Sequence, residues 1–265
     1  MSSLDKNSIE TKNLYVGYRH KKSISTIQKK ISIQLHKGEF VGILGKNGIG
    51  KSTLLRTLTG VQNAISGDIF IDGKNIQSYS SKELSYLISL VLTERLPESQ
   101  LTVFELVALG RQPYTNWIGK LSKKDIEKIR WALEQTETTA LAHRYFYELS
   151  DGQLQRVLIA RALAQDTQII MLDEPTAHLD MHHTIKIFQL LKKLSQETNK
   201  TIIMTTHEVN LAIKGADQLI LLTEKDVVAG KKEALIANNS FDTLFSSEIV
   251  NFNSALEQFI VSKKS

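Results

Sequence analysis

The chain of 265 residues contains no cysteine and no long hydrophobic run. Without cysteine it can form neither disulfides nor thiolate metal sites. No stretch approaches the roughly 18 consecutive apolar residues that predict a membrane-spanning helix, and the polar segment 1–10 lacks the apolar region of a secretory signal. The hydrophobic share of 42% and the charged share of 23% are typical of a globular protein with a sizeable core.

Positive charge is in modest excess, with a formal net charge of +5. The lysines come as scattered pairs along the chain and not as one dense block. We interpret them as part of a solvated surface. The alternative is a surface that meets anionic lipid or the cytoplasmic face of a membrane protein. No nucleic-acid partner is expected.

The order of the apolar segments predicts an α/β fold. Apolar and polar residues alternate between residues 14 and 35, which predicts half-buried antiparallel strands. The continuous apolar run 40–44 is typical of a strand that is buried on both faces. Strands and helices alternate over residues 168–222, and this alternation predicts a mostly parallel sheet covered on both faces.

Two segments differ from this pattern. Glycine is sparse and helical periodicity dominates from about 81 to 151, which we interpret as a helical insertion within a domain spanning residues 1–237. The polar residues 238–265 are interpreted as a short helical extension whose purpose the sequence does not indicate.

A glycine-rich loop lies between the apolar run 40–44 and a helical segment. It fits the pattern G-x-x-x-x-G-K-[ST] and consists of Gly45, Lys46, Asn47, Gly48, Ile49, Gly50, Lys51 and Ser52, with Thr53 directly after it. Such loops bind the phosphates of ATP. Glycines let backbone N–H groups curl around phosphate oxygens, and the helix N-terminus adds a positive field. We expect Lys51 to reach the β- and γ-phosphates and the Ser52 hydroxyl to ligate Mg²⁺.

The apolar run 168–172 ends in two adjacent acids, Asp173 and Glu174. Asp173, at the strand tip, suits a magnesium site like that of a Walker-B aspartate. Strand alternation predicts that Glu174 points the opposite way, where it can orient or deprotonate an attacking water. Taken alone, such a pair often only caps a helix or turn. Together with the phosphate-binding loop it predicts hydrolysis of Mg²⁺–ATP.

Leu-Ser-Asp-Gly-Gln at 149–153, followed by Leu-Gln-Arg, resembles the signature motif of ABC-transporter ATPases. The motif is usually Leu-Ser-Gly-Gly-Gln, and here Asp151 takes the third position. Taken alone, this segment is equally typical of a helix N-cap or a turn. The resemblance implies that Ser150, Gly152 and Gln153 bind ATP.

Three further features match this family. Ala-His-Leu-Asp at 177–180 resembles the D-loop, and His207 resembles the switch histidine that contacts the γ-phosphate and takes part in catalysis. Tyr18 is similar in position to the aromatic residue that stacks on adenine, with Tyr15 as a rival. The resemblance covers roughly residues 14–236. It implies a P-loop NTPase core with a mostly parallel sheet, an N-terminal antiparallel β subdomain and a helical insertion.

The resemblance also implies an active head-to-tail dimer of two copies of the chain. In this family the signature serine faces ATP held by the other subunit, and the sequence contains a single phosphate-binding loop. The family places a magnesium-coordinating glutamine where this chain has Glu94, or by another count Thr93. A carboxylate can still supply oxygen to Mg²⁺, so we expect Glu94 to be a tolerated substitute. His182 and His183 have no evident carboxylate or thiolate companions and are interpreted as surface residues.

Gly-Arg-Gln-Pro-Tyr at 110–114 and Gly-Lys-Leu-Ser at 119–122 resemble ATPases of importers for iron–siderophore complexes, haem and vitamin B12. Arg111 and Tyr114 either shape a groove for a permease helix or form a helix end and a turn. The resemblance implies an ATP-hydrolysing subunit at the cytoplasmic face of the cell membrane, with permease subunits and, indirectly, a substrate-binding protein as partners. The expected cargo is a siderophore, then haem, then cobalamin. The alternatives are an exporter subunit, a soluble ABC ATPase acting on ribosomes or DNA, and a non-hydrolytic scaffold.

Overall fold

The computed structural model of the protein describes residues 7–21, 23–92, 99–245 and 249–262. Its strands are β1 (Asn7–His20), β2 (Ser23–Ile31), β3 (Gln34–His36), β4 (Phe40–Gly45), β5 (Ser66–Ile71), β6 (Lys74–Asn75), β7 (Ile88–Val91), β8 (Ile169–Leu172), β9 (Thr201–Thr205), β10 (Gln218–Leu222), β11 (Val227–Gly230), β12 (Val250–Asn253) and β13 (Gln258–Val261). Its α-helices are α1 (Lys51–Leu58), α2 (Ser81–Leu87), α3 (Val103–Ala108), α4 (Lys123–Gln135), α5 (Asp151–Ala164), α6 (Met181–Thr198), α7 (Val209–Gly215) and α8 (Lys232–Ala237). Short 3₁₀ turns cover Ile76–Ser78, Leu109–Tyr114, Thr139–Leu141, Phe146–Glu148 and Ser240–Thr243.

The central sheet has six strands in the order β11-β10-β4-β9-β8-β7. Its neighbours pair in parallel, except that β11 runs antiparallel to β10 at one edge. Every residue of β4, β8, β9 and β10 is buried, which explains their continuous apolar sequences. The carboxyl ends of β4, β9 and β8 therefore lie side by side at one edge of the sheet, where α/β proteins bind their ligands.

The two faces of this sheet support two cores. Phe40, Leu44 and Met204 pack in the core shared with the helices that follow β7, whereas Val41 and Ile43 pack with α1 and the N-terminal strands. Successive residues of β4 thus pack on opposite faces of the sheet, because side chains alternate between the two faces of a pleated strand. This arrangement confirms the predicted α/β fold class.

The N-terminal strands form a separate antiparallel sheet in the order β2-β1-β5-β6, with β3 also paired to β1. Leu14 and Val16 of β1 are fully buried, as are Ile31 and Leu35 across the sheet. Their alternation with exposed residues is the pattern that predicted these strands.

The segment 81–151, predicted as a helical insertion, also contains one strand of the central sheet. β7 pairs in parallel with β8, so the helices proper begin after it. Three of the four β7 residues are buried, and this mostly apolar segment is too short to distinguish a strand from a helix in sequence. Within the described ranges, no helix combines the length and apolar character needed to cross a membrane.

Arg111 is a structural residue that joins three parts of the helical region. It is buried, and its Nε donates to Asp125 Oδ1 at 2.8 Å while its NH1 donates to the Ala164 carbonyl at 2.8 Å. Its guanidinium also lies 3.8 Å from the centre of the Tyr114 ring. Burial by itself would raise the pKa of the Asp125 carboxyl, but hydrogen bonds from Ser122 and Arg111 lower it. These contacts favour the helix-end interpretation of Arg111 over a role in a permease groove.

The C-terminal segment differs from the predicted helical extension, and that prediction is wrong. After a 3₁₀ turn at Ser240–Thr243, β12 and β13 form an antiparallel hairpin. The rings of Phe241 and Phe252 stack, and the ring of Phe259 contacts both of them edge to face. Phe241 is fully buried in the main core. Spaced aromatic residues therefore attach this hairpin to the rest of the fold.

Candidate functional site

The glycine-rich loop leaves β4 at Gly45 and enters α1 at Lys51. Gly48 and Gly50 have φ angles of 75° and 109°, in the left-handed region that glycine adopts without strain. Gly50 is the N-cap of α1 and offers no side-chain hydrogen bond to the first turn of the helix. The positive end of α1 is thus left for an anion, which is the requirement of a phosphate cradle.

Lys51 lies beneath this loop, and only 4% of its side chain is exposed. Its ammonium donates to the carbonyls of Gly45 at 3.0 Å and Lys46 at 3.3 Å, and it lies 3.8 Å from Glu174 Oε1. Burial lowers the pKa of Lys51, while the nearby carboxylates of Glu174 and Asp173 act to raise it. The Lys51 ammonium is therefore held under the loop by backbone carbonyls and lies near two carboxylates. This is the position where phosphate oxygens would be bound.

Three oxygen-bearing side chains meet beside the loop, one from α1, one from the residue directly after β8 and one from the end of β9. The hydroxyls of Ser52 and Thr205 each donate to Asp173 Oδ1 at 2.8 Å. A hydroxyl next to a carboxylate is the hard oxygen donor set that Mg²⁺ prefers, and it fits an ion that takes its other ligands from water and phosphate. The described residues hold no cluster of three or more His, Asp or Glu that would form a metal site without a ligand's help. Glu94, the third predicted metal residue, and its rival Thr93 lie outside the described residues.

Glu174 contacts the other two predicted catalytic residues, Lys51 and His207. Its Oε1 lies 2.6 Å from Nε2 of His207 and 3.8 Å from the Lys51 ammonium. Its φ of 46° breaks the alternation of β8, which ends at Leu172, so strand alternation does not decide where this carboxylate points. The side chains of Glu174 and His207 are 27% and 44% exposed, which leaves them accessible to a water molecule and to nucleotide.

Sequence reasoning missed two residues that hold this arrangement together. Thr205, fully buried, donates to Asp173 and accepts from the Glu174 N–H at 2.8 Å, so it joins both acids to β9. Gln28 of β2 donates to the carbonyls of Ile49 at 3.1 Å and Thr223 at 2.9 Å, which fixes the loop against β10. The available signals were a hydroxyl residue ending an apolar strand and a buried amide in an alternating one.

Tyr18 is the one of the two candidate tyrosines that reaches the cradle. Its hydroxyl lies 3.2 Å from Thr53 Oγ1 in the first turn of α1, and the residue is 43% exposed. Tyr15 lies opposite Ser66 in the β1–β5 pairing. The free face of Tyr18 can therefore stack on a base whose phosphates lie in the loop.

The signature residues form a second group at the N-terminus of α5. Ser150 caps the helix by accepting from the Gln153 N–H at 3.4 Å, and Gln153 Oε1 accepts in return from the Ser150 N–H at 3.1 Å. Gly152 is buried, whereas Ser150 and Asp151 are exposed. Helix α5 packs on α3 and α4, while α1 packs on β1, β4 and β9. The site residues thus belong to two groups, each in its own part of the fold.

His183 differs from the surface residue that the sequence predicted. Its Nδ1 lies 2.8 Å from Asp180 Oδ2, and its backbone N–H donates to Asp180 Oδ1 at 2.8 Å. Its ring also packs against Gly152. The prediction that His183 has no carboxylate companion is therefore wrong. The companion is the N-cap residue of its own helix, three positions earlier.

Known proteins share this sequence pattern. The profile of the protein family described as ABC transporter matches residues 28–177. The petrobactin import ATP-binding protein FpuD of Bacillus anthracis is 38% identical over 242 residues, which are 91% of this chain and 87% of that protein. The ferric enterobactin transport ATP-binding protein FepC of Escherichia coli is 40% identical over 204 residues, which are 77% of this chain and 75% of that protein.

Solved structures share the fold. A structure described as an inward-facing metal-chelate type ABC transporter matches with a TM-score of 0.78 and 29% identity, covering 97% of this chain and 96% of that one. A dimeric ATP-binding cassette bound to ADP and Pi matches with a TM-score of 0.72 and 32% identity, covering 84% of this chain and 98% of that one.

Proposed function

This chain belongs to the family of ABC transporter ATP-binding proteins, which makes it an ATPase, and we propose that it drives an importer of iron chelates. A siderophore complex is the first choice of cargo, followed by haem and cobalamin. The names of two relatives, which import petrobactin and transport ferric enterobactin, support a siderophore. An exporter subunit and a soluble ABC ATPase are the alternatives.

The observation that carries the proposal is the meeting of the glycine-rich loop with Asp173 and Glu174 at the carboxyl ends of β4, β8 and β9. In our proposal the loop from Gly45 to Thr53 binds the phosphates of ATP, and the adenine stacks on Tyr18. Lys51 neutralises charge on the phosphates. Its ammonium lies 3.8 Å from Glu174 Oε1. Ser52 and Asp173, with Glu94, would hold a magnesium ion, whose chemistry is to neutralise the charge that develops during phosphoryl transfer.

Glu174 acts on the attacking water in this proposal. Its Oε1 accepts a hydrogen bond from the water and takes its proton as the water oxygen attacks the γ-phosphorus, while the bond from that phosphorus to the bridging oxygen breaks and ADP leaves with that oxygen. His207, at 2.6 Å from the same oxygen, fixes the carboxylate and can donate to the γ-phosphate. Thr205 anchors the backbone of Glu174, so the water is oriented by residues at the ends of two adjacent strands, β8 and β9.

The functional unit we propose is a head-to-tail dimer. Ser150, Gly152 and Gln153 would face the ATP that is bound in the loop of the second copy. Their position at the N-terminus of α5 suits a phosphate, because the helix end carries a positive field. The dimeric cassette with ADP and Pi supports this arrangement.

The helical region would dock the permease at the cytoplasmic face of the membrane, and a substrate-binding protein would deliver the chelate from the other side. Support comes from the turn after the Leu109–Tyr114 segment, where Trp117 is 94% exposed and Ile118 is 68% exposed. Two large apolar side chains next to each other in water favour burial by a partner.

Reconstitution tests this function directly. The tagged chain is used to capture its permease from the native membrane, and the complex is placed in vesicles with ATP and magnesium on the side of the ATPase. The proposal predicts accumulation of a ⁵⁵Fe-labelled siderophore against its gradient, with Trp117→Ala weakening permease capture and the matched control Ile24→Ala, another exposed apolar residue, leaving capture intact. Transport of the cargo only away from the side of the vesicle membrane that holds ATP would contradict the proposal. Capture of ribosomes or DNA in place of a permease would contradict it as well.

A further inference from the structure

His183 connects the start of α6 to the signature segment. A methyl group on Gly152 would lie 2.6 Å from Cδ2 and 3.0 Å from Cγ of the His183 ring. The ring therefore occupies the space that any larger residue at 152 would need. Gly152 has an ordinary helical backbone, so the neighbouring ring, and not the conformation of the chain, requires glycine at this position.

Asp180 determines where this ring lies. One carboxylate oxygen accepts from the His183 backbone N–H and the other from Nδ1, both at 2.8 Å. The hydrogen bonds from His183, the backbone one first, lower the pKa of Asp180, so its carboxylate is ionised at neutral pH and is a strong acceptor. Because the backbone bond belongs to the N-cap, the ring is held against the first turn of α6 and cannot turn freely.

We propose that His183 is a positioning residue for ATP bound to a second copy of the chain. Asp180 holds the His183 ring in contact with Gly152, and this contact fixes the N-terminal turn of α5. That turn carries the Ser150 hydroxyl and the backbone N–H groups. In the proposed dimer these groups bind the γ-phosphate of the ATP held by the second copy. This inference rests on the proposed head-to-tail dimer.

The position of His183 predicts which step depends on it. The residue contacts the signature group and not the glycine-rich loop of its own chain, whose contacts run through Lys51, Ser52 and Gln28. A change at His183 should therefore leave ATP binding to the separate subunit intact and weaken the association of two ATP-loaded subunits. A residue that only stabilises the fold would affect both steps together.

The experiment uses the full chain carrying Glu174→Gln, so that bound ATP persists. Dimer formation with ATP and magnesium is measured by sedimentation, and ATP affinity by calorimetry at a concentration where the chain is monomeric. Addition of His183→Ala should raise the dimer dissociation constant about tenfold while ATP affinity stays within about twofold. His183→Phe keeps a ring but loses the Nδ1 donor, and it should fall between the parent and His183→Ala. The matched control is His182→Ala, which removes the exposed neighbouring histidine and should behave as the parent.

The results separate this inference from the function on which it rests. A parent that stays monomeric with ATP would overturn the dimer, and the role of His183 with it. A parent that dimerises as tightly with His183→Ala as without it would overturn the role of His183 alone. An equal loss of ATP affinity and of dimerisation would also overturn it, because that is the behaviour of a purely structural residue.

Discussion

Replacing Thr205 by valine keeps the volume of a fully buried side chain and removes the hydroxyl that joins the two acids. The change deletes the 2.8 Å hydrogen bond donated to Asp173 Oδ1 and the 2.8 Å acceptor of the Glu174 N–H. One lost bond to a charged group and one buried N–H without its partner together cost about 2–4 kcal/mol of unfolding free energy. For a domain of this size, that loss lowers the melting temperature by roughly 5–15 °C.

Activity should fall by more than stability explains. Glu174 loses the anchor of its backbone, and a misplacement of about 1 Å at a reacting group costs about 10²-fold in rate. Steady-state phosphate release at saturating ATP is measured well below the melting temperature, with Thr205→Ser as the matched control because serine keeps the hydroxyl. The expected order of kcat is wild type, then Thr205→Ser, then Thr205→Val far below. Equal kcat and equal melting temperatures for the valine and serine variants would refute the role given to this hydroxyl.

Three further variants test separate contacts. Tyr18→Ala should weaken ATP affinity about tenfold and Tyr18→Phe should not, because the ring and not its hydroxyl bond to Thr53 would hold the base; calorimetry showing equal affinities would remove Tyr18 from the site. Asp151→Gly should strengthen ATP-dependent dimerisation of the Glu174→Gln chain about tenfold at low salt, because in the proposed dimer it removes an exposed acid beside the phosphates bound by the second copy. A weaker dimer in sedimentation would count against that geometry. Arg111→Met should lower the unfolding free energy by about 3 kcal/mol at pH 7, because it leaves the Asp125 carboxylate buried without its cation. Since folding lowers the pKa of Asp125, the contribution of this group is present at neutral pH and is lost in acid, so urea titrations of wild type and variant should converge as the pH falls below the ordinary Asp range.

Some parts of the candidate site have a local geometry that a sequence pattern contains. The segment from Gly45 to Ser52 follows a buried strand and leads into a helix, so its loop conformation is defined locally. Asp173 directly follows another buried strand, which brings it to the same edge of the sheet. The contacts of Thr205 depend instead on the register of β8 against β9, which local patterns do not contain. The same is true of His183, whose partner Gly152 lies in another helix.

The two errors in the fold have similar causes. β7 is a short segment of three apolar residues and one serine inside a helical stretch, and its strand character comes from pairing with β8. The C-terminal hairpin turns through Glu257, which has a φ of 50°, without the Asn-Gly or Asp-Gly signal that marks such turns. Its phenylalanines are spaced as in a helix and also as on the face of a packed hairpin, so only the tertiary contacts of Phe259 and its neighbours decide between the two.

The most direct test of the account compares the wild-type chain with Glu174→Gln, first alone and then with its permease. The account predicts that both bind ATP with similar affinity, that wild type releases phosphate only with magnesium present, and that the variant is slower by roughly 10²–10⁴-fold. Phosphate release by Glu174→Gln at the wild-type rate would contradict the assignment of the water to Glu174, and a wild-type chain that binds no nucleotide would contradict the account as a whole.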